Sequence, residues 1–405
     1  MIAADASLAV LWVSVTAYAV LGGADFGGGL WDLLAGGTRR GRRPRALIDH
    51  AIGPVWETNH VWLIFDLVIL WTAFPVAFAA ITSTLFEPLM LAVFAIVLRG
   101  AGFAFRKSLR RLPLQALTGG IFAFSSLAAP FFLGTAIGAI ASGQVPASGG
   151  GDRVASWTGG FPLLTGGLFV GTCAWLAAAY LTVDARHSGQ PDLVSYFSRR
   201  ARAAGIVTGL LAAATLADLH FAAPREFTRL VDGPALAFVI VSAAAVAVVF
   251  GQLTLGHSRA IRRLAALAVT MVIWGWGVAQ YPYLLPRSLT VSGGSAPAAS
   301  LLAILAVAGL VTALVGPGLV LLFTLRRRGQ LGEQDERDLT QADMAGLQAA
   351  DTSHPVPADA GRPPPVTPGP RMRELAIAAV AFMAGATLAA RRHSPAGSSP
   401  HRRRP

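Results

Sequence analysis

Nine ionisable side chains interrupt the apolar stretches of this 405-residue sequence: Asp25, Asp32, Glu57, His60, Asp66, Glu87, Arg99, Asp218 and His220. An ionisable group at the centre of a membrane helix costs about 2.5–3.5 kcal/mol on insertion scales, so each needs a partner or a use. Aspartate, glutamate and histidine at membrane depth relay protons in pumps and transporters. The same groups also tie helices together by hydrogen bonds, and residue type alone leaves both readings open. Asp32, His220 and Arg99 stand near the ends of their stretches and reach the interface. Asp66, about ten residues inside its stretch, does not.

Helical spacing sorts the second stretch. At about 100° per residue, Glu57 and His60 lie about 60° apart and one turn from each other. Glu57 and Asp66, nine residues apart, point to opposed faces. Asn59, Trp62 and Asp66 form a polar stripe on one face, and Glu57 with Trp56 and His60 marks the other. A helix polar on two faces must be surrounded by protein, from this chain or another. Glu87 and Arg99 are about 18 Å apart along one helix and cannot pair with each other. Asp218 and His220 fit an interfacial cap at the outer end of their helix.

The run Gly22-Gly23-Ala24-Asp25-Phe26-Gly27-Gly28-Gly29 lacks the strand before it and the Lys-Ser/Thr after it that a phosphate loop needs. In a membrane helix, small residues let neighbours approach closely. Close packing is therefore the role expected of these glycines, with Asp25 the chemical candidate among them. Heme needs axial His, Met, Cys or Tyr at depth. His60 is the one histidine well inside an apolar stretch, so no heme and no metal site is expected in this chain. A single cysteine, Cys173, permits no internal disulfide.

The elements that must position these groups follow from composition. The chain is 54% hydrophobic and 13% charged, with a mean hydropathy of +0.57. That is about half the charge of a soluble domain, which excludes an ordinary soluble enzyme, a disordered regulator and a nucleic-acid module. A helix of about 20 apolar residues crosses a bilayer. Nine such stretches are found, near 6–34, 54–75, 80–101, 117–141, 159–183, 204–222, 235–255, 264–285 and 300–325. The first has no basic residue before it and no cleavage site after it, unlike a signal peptide. Alternate connections carry nineteen basic residues against four. This positive-inside pattern puts the N-terminus outside and the end of the ninth span in the cytoplasm. It also spreads the net charge of +12 over separate loops and leaves no nucleic-acid stripe. The expected fold is thus an all-α, polytopic membrane protein with a transmembrane domain over residues 1–325. Residues 326–372 are charged and then proline-rich, as in a disordered cytoplasmic linker. In 373–405 a short apolar run, Leu375–Ala390, precedes a basic tail; it reads as a surface-lying segment in preference to a tenth span.

The segments LGGADFGGGLWDLL (21–34), RRPRALIDHAIGPVWETNHVWLIFDLVILWTAFPVAFAAI (42–81) and FEPLMLAVFAIVLRGAGFAFRK (86–107), with YPYLLP (281–286), resemble subunit II of the cytochrome bd-type quinol oxidases. The resemblance runs over about residues 1–325 and is most specific in the first three spans. It implies two four-helix bundles plus one peripheral helix, in a heterodimer with a homologous subunit I that holds hemes b558, b595 and d. It also implies a bacterial cytoplasmic (inner) membrane, quinol and O2 as substrates of the complex, and reduction of O2 to water with cytoplasmic protons. In some members a structural quinone is bound here, and small accessory subunits attach. Asp25, Glu57 and Arg99 match family positions, and Trp56 stands beside the second acid. Three positions depart: Gly22 stands where an acid is frequent, Ala104 replaces another acid, and Asp66 replaces an apolar residue.

The resulting expectation is a non-heme oxidase subunit that supplies a cytoplasmic proton path through Asp25, Glu57, His60 and Asp66. Trp56, Asn59, Glu87 and Arg99 support it, and no catalytic residue lies in this chain. Two other functions use the same acids: a stand-alone proton-coupled transporter, and a structural scaffold for the oxidase. Transporters show broken helices and inverted repeats; no repeat is evident in this sequence, and an odd number of spans argues against a simple duplicated inversion.

Overall fold

The computed structural model describes residues 1–36, 41–52, 56–108, 112–256 and 260–327. The linker at 328–372 and the last apolar run lie outside the described residues. The chain divides after Leu301: Met1–Leu301 form one unit, and the residues from Leu302 belong to a second.

The first unit opens with α1 (Ile2–Ala17), a π-helical turn (Tyr18–Gly22) and α2 (Gly23–Leu33), which run on as one apolar span. Then come α3 (Arg42–Ile52), α4 (Trp56–Ala73), α5 (Pro75–Thr84), α6 (Phe86–Ser108) and α7 (Leu112–Ala141). A short α8 (Ala155–Thr158) precedes α9 (Gly160–His187) and α10 (Pro191–Ala222). After α11 (Pro224–Val231), α12 (Leu236–Leu255) and α13 (Ile261–Gln280) complete the long helices. A two-stranded hairpin, β1 (Tyr283–Leu285) and β2 (Leu289–Thr290), and α14 (Val291–Gly294) lead into α15 (Ala298–Arg327). From Leu302 onward α15 is the described part of the second unit, and Pro317 stands inside it.

Three X-Pro pairs turn the chain. Phe74, Gln190 and Ala223 leave the helical region, and Pro75, Pro191 and Pro224 each begin the next helix. Proline disfavours helical geometry in the residue before it and suits the first helical position, where no N–H is needed. Proline does not always stop a helix here: α7 continues through Pro130.

Among the described residues seven helices are long and apolar enough to cross a membrane, and the bent pair α4–α5 is an eighth candidate, which fits an all-α, multi-pass membrane protein. The structure corrects three readings of the sequence. The stretch at 80–101 is not one helix, because α5 ends at Thr84 and α6 starts at Phe86. The eighth stretch does not reach 285: α13 stops at Gln280, and YPYLLP forms the Tyr281–Pro282 cis bond and the first strand. Residues 184–203, taken as a loop, are helical except for a tight turn at 188–190, because α9 and α10 extend past their apolar parts. In addition, α4 and α5 meet at 118° across Phe74, where the second stretch ends.

The core of this unit is built around α9, which packs against α2, α7, α10 and α13. Its Ala177, Ala178 and Ala179 are almost wholly buried, with Phe197, Val249, Ile261 and Ala265 around them. α1 lies between α4 and α13, with the Trp12 indole N–H donating to the Ile273 carbonyl at 3.1 Å. Three arginine-rich connections meet at one end of the helices. There Arg43 pairs with Asp192, Arg45 with Asp32 and Arg262 with Asp184.

Candidate functional site

The glycines of α2 fix the site by letting two helices come close. A Cβ on Gly27 would overlap the Cys173 carbonyl of α9, and one on Gly29 would overlap the Ser126 side chain of α7. Close packing is thus what the small residues do, and it carries Asp25 into the interior, where it is 3% exposed.

Arg99 comes to Asp25 from the middle of α6. Its Nη2 lies 2.6 Å from Asp25 Oδ1 and 3.3 Å from the Asp25 carbonyl, and its Nε donates to Ser126 Oγ at 3.0 Å. Both charged side chains are 1% exposed. The guanidinium is flanked by the rings of Phe26 at 5.1 Å and Phe122 at 5.2 Å. A buried charge is tolerated when it is paired and its remaining donors are satisfied, and here ion pair, serine and ring faces together do this. Arg99 therefore does not reach the interface, contrary to the expectation from its place in the apolar stretch. It is the partner of Asp25.

Three polar atoms near this pair are buried without a protein hydrogen bond: Asp25 Oδ2, Tyr18 Oη and His60 Nδ1. The His60 ring lies 6.5 Å from that of Tyr18 and 6.2 Å from that of Phe26. Buried polar atoms of this kind normally bond ordered water. Tyr18 comes from the π-helical turn, a local widening that recurs at functional sites. Its ring fills the space beside Gly22, where a Cβ would meet it at 3.1 Å.

The polar stripe of α4 faces α1. Asn59 is buried and donates to the Leu21 carbonyl at 3.3 Å, and the Ser14 hydroxyl donates to the Trp62 carbonyl at 3.4 Å. The Asp66 carboxyl turns to Ser14, with Oδ1 buried and unpartnered. The opposite face of α4 is apolar and exposed in this chain, at Val61, Ile64, Val68 and Trp71. Protein from this chain therefore covers one side of α4 and not both. The side chains of Trp56 and Glu57 lie outside the described residues. Glu87 is apart from all of these, at the start of α6, where it pairs with Arg153 at 3.0 Å.

The sequence-derived set thus separates into a buried cluster (Asp25, Arg99, His60), a seam (Asn59, Asp66) and a surface pair (Glu87). Tyr18, Ser126, Phe26, Phe122 and Ser14 were not singled out. The signal for Ser126 is the Ser125-Ser126 pair inside an apolar run; for Tyr18 it is a hydroxyl at mid-span. Among the described residues no group of three or more His, Cys, Asp or Glu could hold a metal ion. His60, the one histidine at depth among them, forms a cluster of three rings with Tyr18 and Phe26.

A family profile described as "Cytochrome bd terminal oxidase subunit II" matches residues 4–325. The chain is 32% identical to cytochrome bd ubiquinol oxidase subunit 2 of Bacillus subtilis over 134 residues, 32% of this chain and 39% of that protein. It is 25% identical to cytochrome bd-I ubiquinol oxidase subunit 2 of Escherichia coli over 311 residues, 68% of this chain and 80% of that protein. Its fold resembles a chain in the structure of bd oxidase from Geobacillus thermodenitrificans, with a TM-score of 0.65 and 21% identity, covering 80% of this chain and 98% of that one.

Proposed function

The chain belongs to the cytochrome bd terminal oxidase subunit II family, and from that premise we propose that it is the proton-supplying, non-heme subunit of a quinol:O2 oxidoreductase in a bacterial cytoplasmic membrane. In this reading it pairs with a subunit I that holds the hemes, and the two oxidise quinol and reduce O2 to water. Nine crossings are then made by the seven long helices, the α4–α5 pair and the apolar start of α15 at Ala298–Leu314.

One observation carries the proposal: the fully buried Asp25–Arg99 pair is bordered by acceptor and donor atoms that no group among the described residues satisfies. Electrons arriving at a buried redox centre create negative charge in a medium of low dielectric, where Coulomb energies exceed those in water severalfold. Protons must follow. Asp25 Oδ2, Tyr18 Oη and His60 Nδ1, bridged by water, form a hydrogen-bonded path that exchanges protons while Arg99 fixes Asp25 Oδ1 in place. Tyr18 occupies the room beside Gly22 and gives this chain a hydroxyl where its relatives frequently carry an acid. Glu57, one turn from His60, extends the path, and Asp66 belongs to a branch along the α1–α4 seam.

The scaffold reading has its own support, since Arg99 ties α2, α6 and α7 through Asp25 and Ser126. Quinol-driven O2 consumption of the assembled complex separates the two. With Tyr18→Phe and Glu57→Ala, proton supply predicts normal assembly and heme spectrum. Asp25→Asn leaves Arg99 without its counter-charge, so reduced assembly is expected there, with a normal heme spectrum in the fraction that assembles. Proton supply also predicts turnover lowered at least about tenfold for the acids and less for Tyr18→Phe. Wild-type turnover in all three assembled variants leaves only the scaffold. Strong heme bands in the chain purified alone would overturn the non-heme assignment.

A further inference from the structure

The arginine-rich end of the helices carries a second site, independent of the proton path. Between the end of α9, the start of α10 and the end of α12 lies an open cavity of about 520 Å³. Arg186, Arg199, Arg202, Ser195 and Ser198 line it, with Leu253 among its apolar walls. Among the described residues no carboxylate pairs with any of these three arginines; the one hydrogen bond found for them runs from Arg199 Nε to the Ser195 carbonyl at 3.4 Å. The acids next to this site on α9 and α10 are already engaged, Asp184 by Arg262 at 2.6 Å and Asp192 by Arg43 at 3.2 Å. Three cations thus converge on one hollow without a counter-charge among the described residues.

What lies below the cations selects the occupant. On α10, Ser195, Arg199, Arg202, Ile206 and Leu210 recur at spacings of four, three, four and four residues, which is one helix face. The stripe is polar at its end and turns apolar and exposed at Ile206 and Leu210. A free anion would use only the upper part. A molecule with a negative head and long apolar chains would use all of it, in a bilayer whose leaflet on this side is the one the loop-charge rule makes cytoplasmic. Basic pockets between membrane helices on that side bind anionic headgroups. We propose that this cavity is a binding site for an anionic phospholipid of the cytoplasmic leaflet, its phosphate held by Arg186, Arg199 and Arg202 and its acyl chain laid along Ile206 and Leu210.

The test is native mass spectrometry of the full-length protein, purified as it assembles in its membrane and titrated with phosphatidylglycerol or phosphatidylcholine of matched acyl chains. The expected result is a preference for phosphatidylglycerol of about tenfold. The triple variant Arg186→Gln, Arg199→Gln, Arg202→Gln should abolish that preference, and Arg153→Gln at the opposite end should keep it. If the triple variant does not assemble, Arg202→Gln alone should reduce the preference about threefold. Equal retention of both lipids by the wild type, or an unchanged preference in the pocket variants, overturns the proposal. So does an equal loss in Arg153→Gln. Displacement of phosphatidylglycerol by inorganic phosphate at the same concentration also overturns it, because the site would then hold a small anion.

Discussion

Two Arg–Asp pairs in this protein have the same length and opposite meaning. Arg99–Asp25 and Arg262–Asp184 both measure 2.6 Å, yet the side chains of the first are 1% exposed and those of the second 47% and 26%. In the rim, water solvates each partner whether or not the other is present. In the interior, each ion is tolerable only because of the other. Bond length therefore says little about an ion pair; what surrounds it decides whether it is decoration or a commitment of the fold.

The largest effect should come from breaking the interior pair on one side. Arg99→Met leaves Asp25 charged and alone, which costs about 3–5 kcal/mol, and the assembled complex should be lost from detergent extracts. The sharper experiment removes both charges. Arg99→Met with Asp25→Leu is expected to regain much of the lost stability, since well-packed apolar replacements of buried pairs are often neutral. Assembly on a sizing column would then return, and O2 consumption would not. Recovery of turnover with assembly would make the pair a scaffold.

Next in size is the packing that brings the interior pair together. Gly27→Ala pushes a methyl into the Cys173 carbonyl and forces α2 from α9, at about 1–3 kcal/mol. A lower thermal midpoint, without change in the rim, is the expected reading. In the rim itself, Arg262→Gln should cost about 0.2–1 kcal/mol and leave both assembly and turnover unaltered. The smallest effect belongs to Asp152, outside the spans, whose carboxylate accepts from the N–H of Val154 at 2.9 Å and of Ala155 at 2.7 Å. These bonds hold its pKa below the usual carboxylate value. The turn ahead of α8 is thus supported at neutral pH and loses that support as the pH falls through the lowered value. Amide exchange at Val154 and Ala155 should quicken there, and Asp152→Asn should remove the pH dependence.

Much of the interior was legible in the residues. The acids at depth, the glycines around Asp25 and the Asn59–Trp62–Asp66 stripe all follow from cost and helical spacing, and the stripe does face a neighbour within the chain. The bend at Phe74-Pro75 is written in the X-Pro pair and falls where the second apolar stretch ends, whereas the break at Leu85 lies inside the third stretch without such a mark. The partner of Arg99 was not legible, because Asp25 lies 74 residues away and only the third dimension joins them. The same holds for Tyr18, whose significance depends on a widened turn that no residue pattern announces.

The sole thiol of the chain, Cys173, is buried, with its Sγ facing Gly23 of α2 across the same close packing that brings Gly27 to the Cys173 carbonyl. Nature has in effect installed a tamper indicator. A maleimide should leave the intact protein unmarked, and any treatment that parts the second helix from the ninth should register as a single covalent label at a known address.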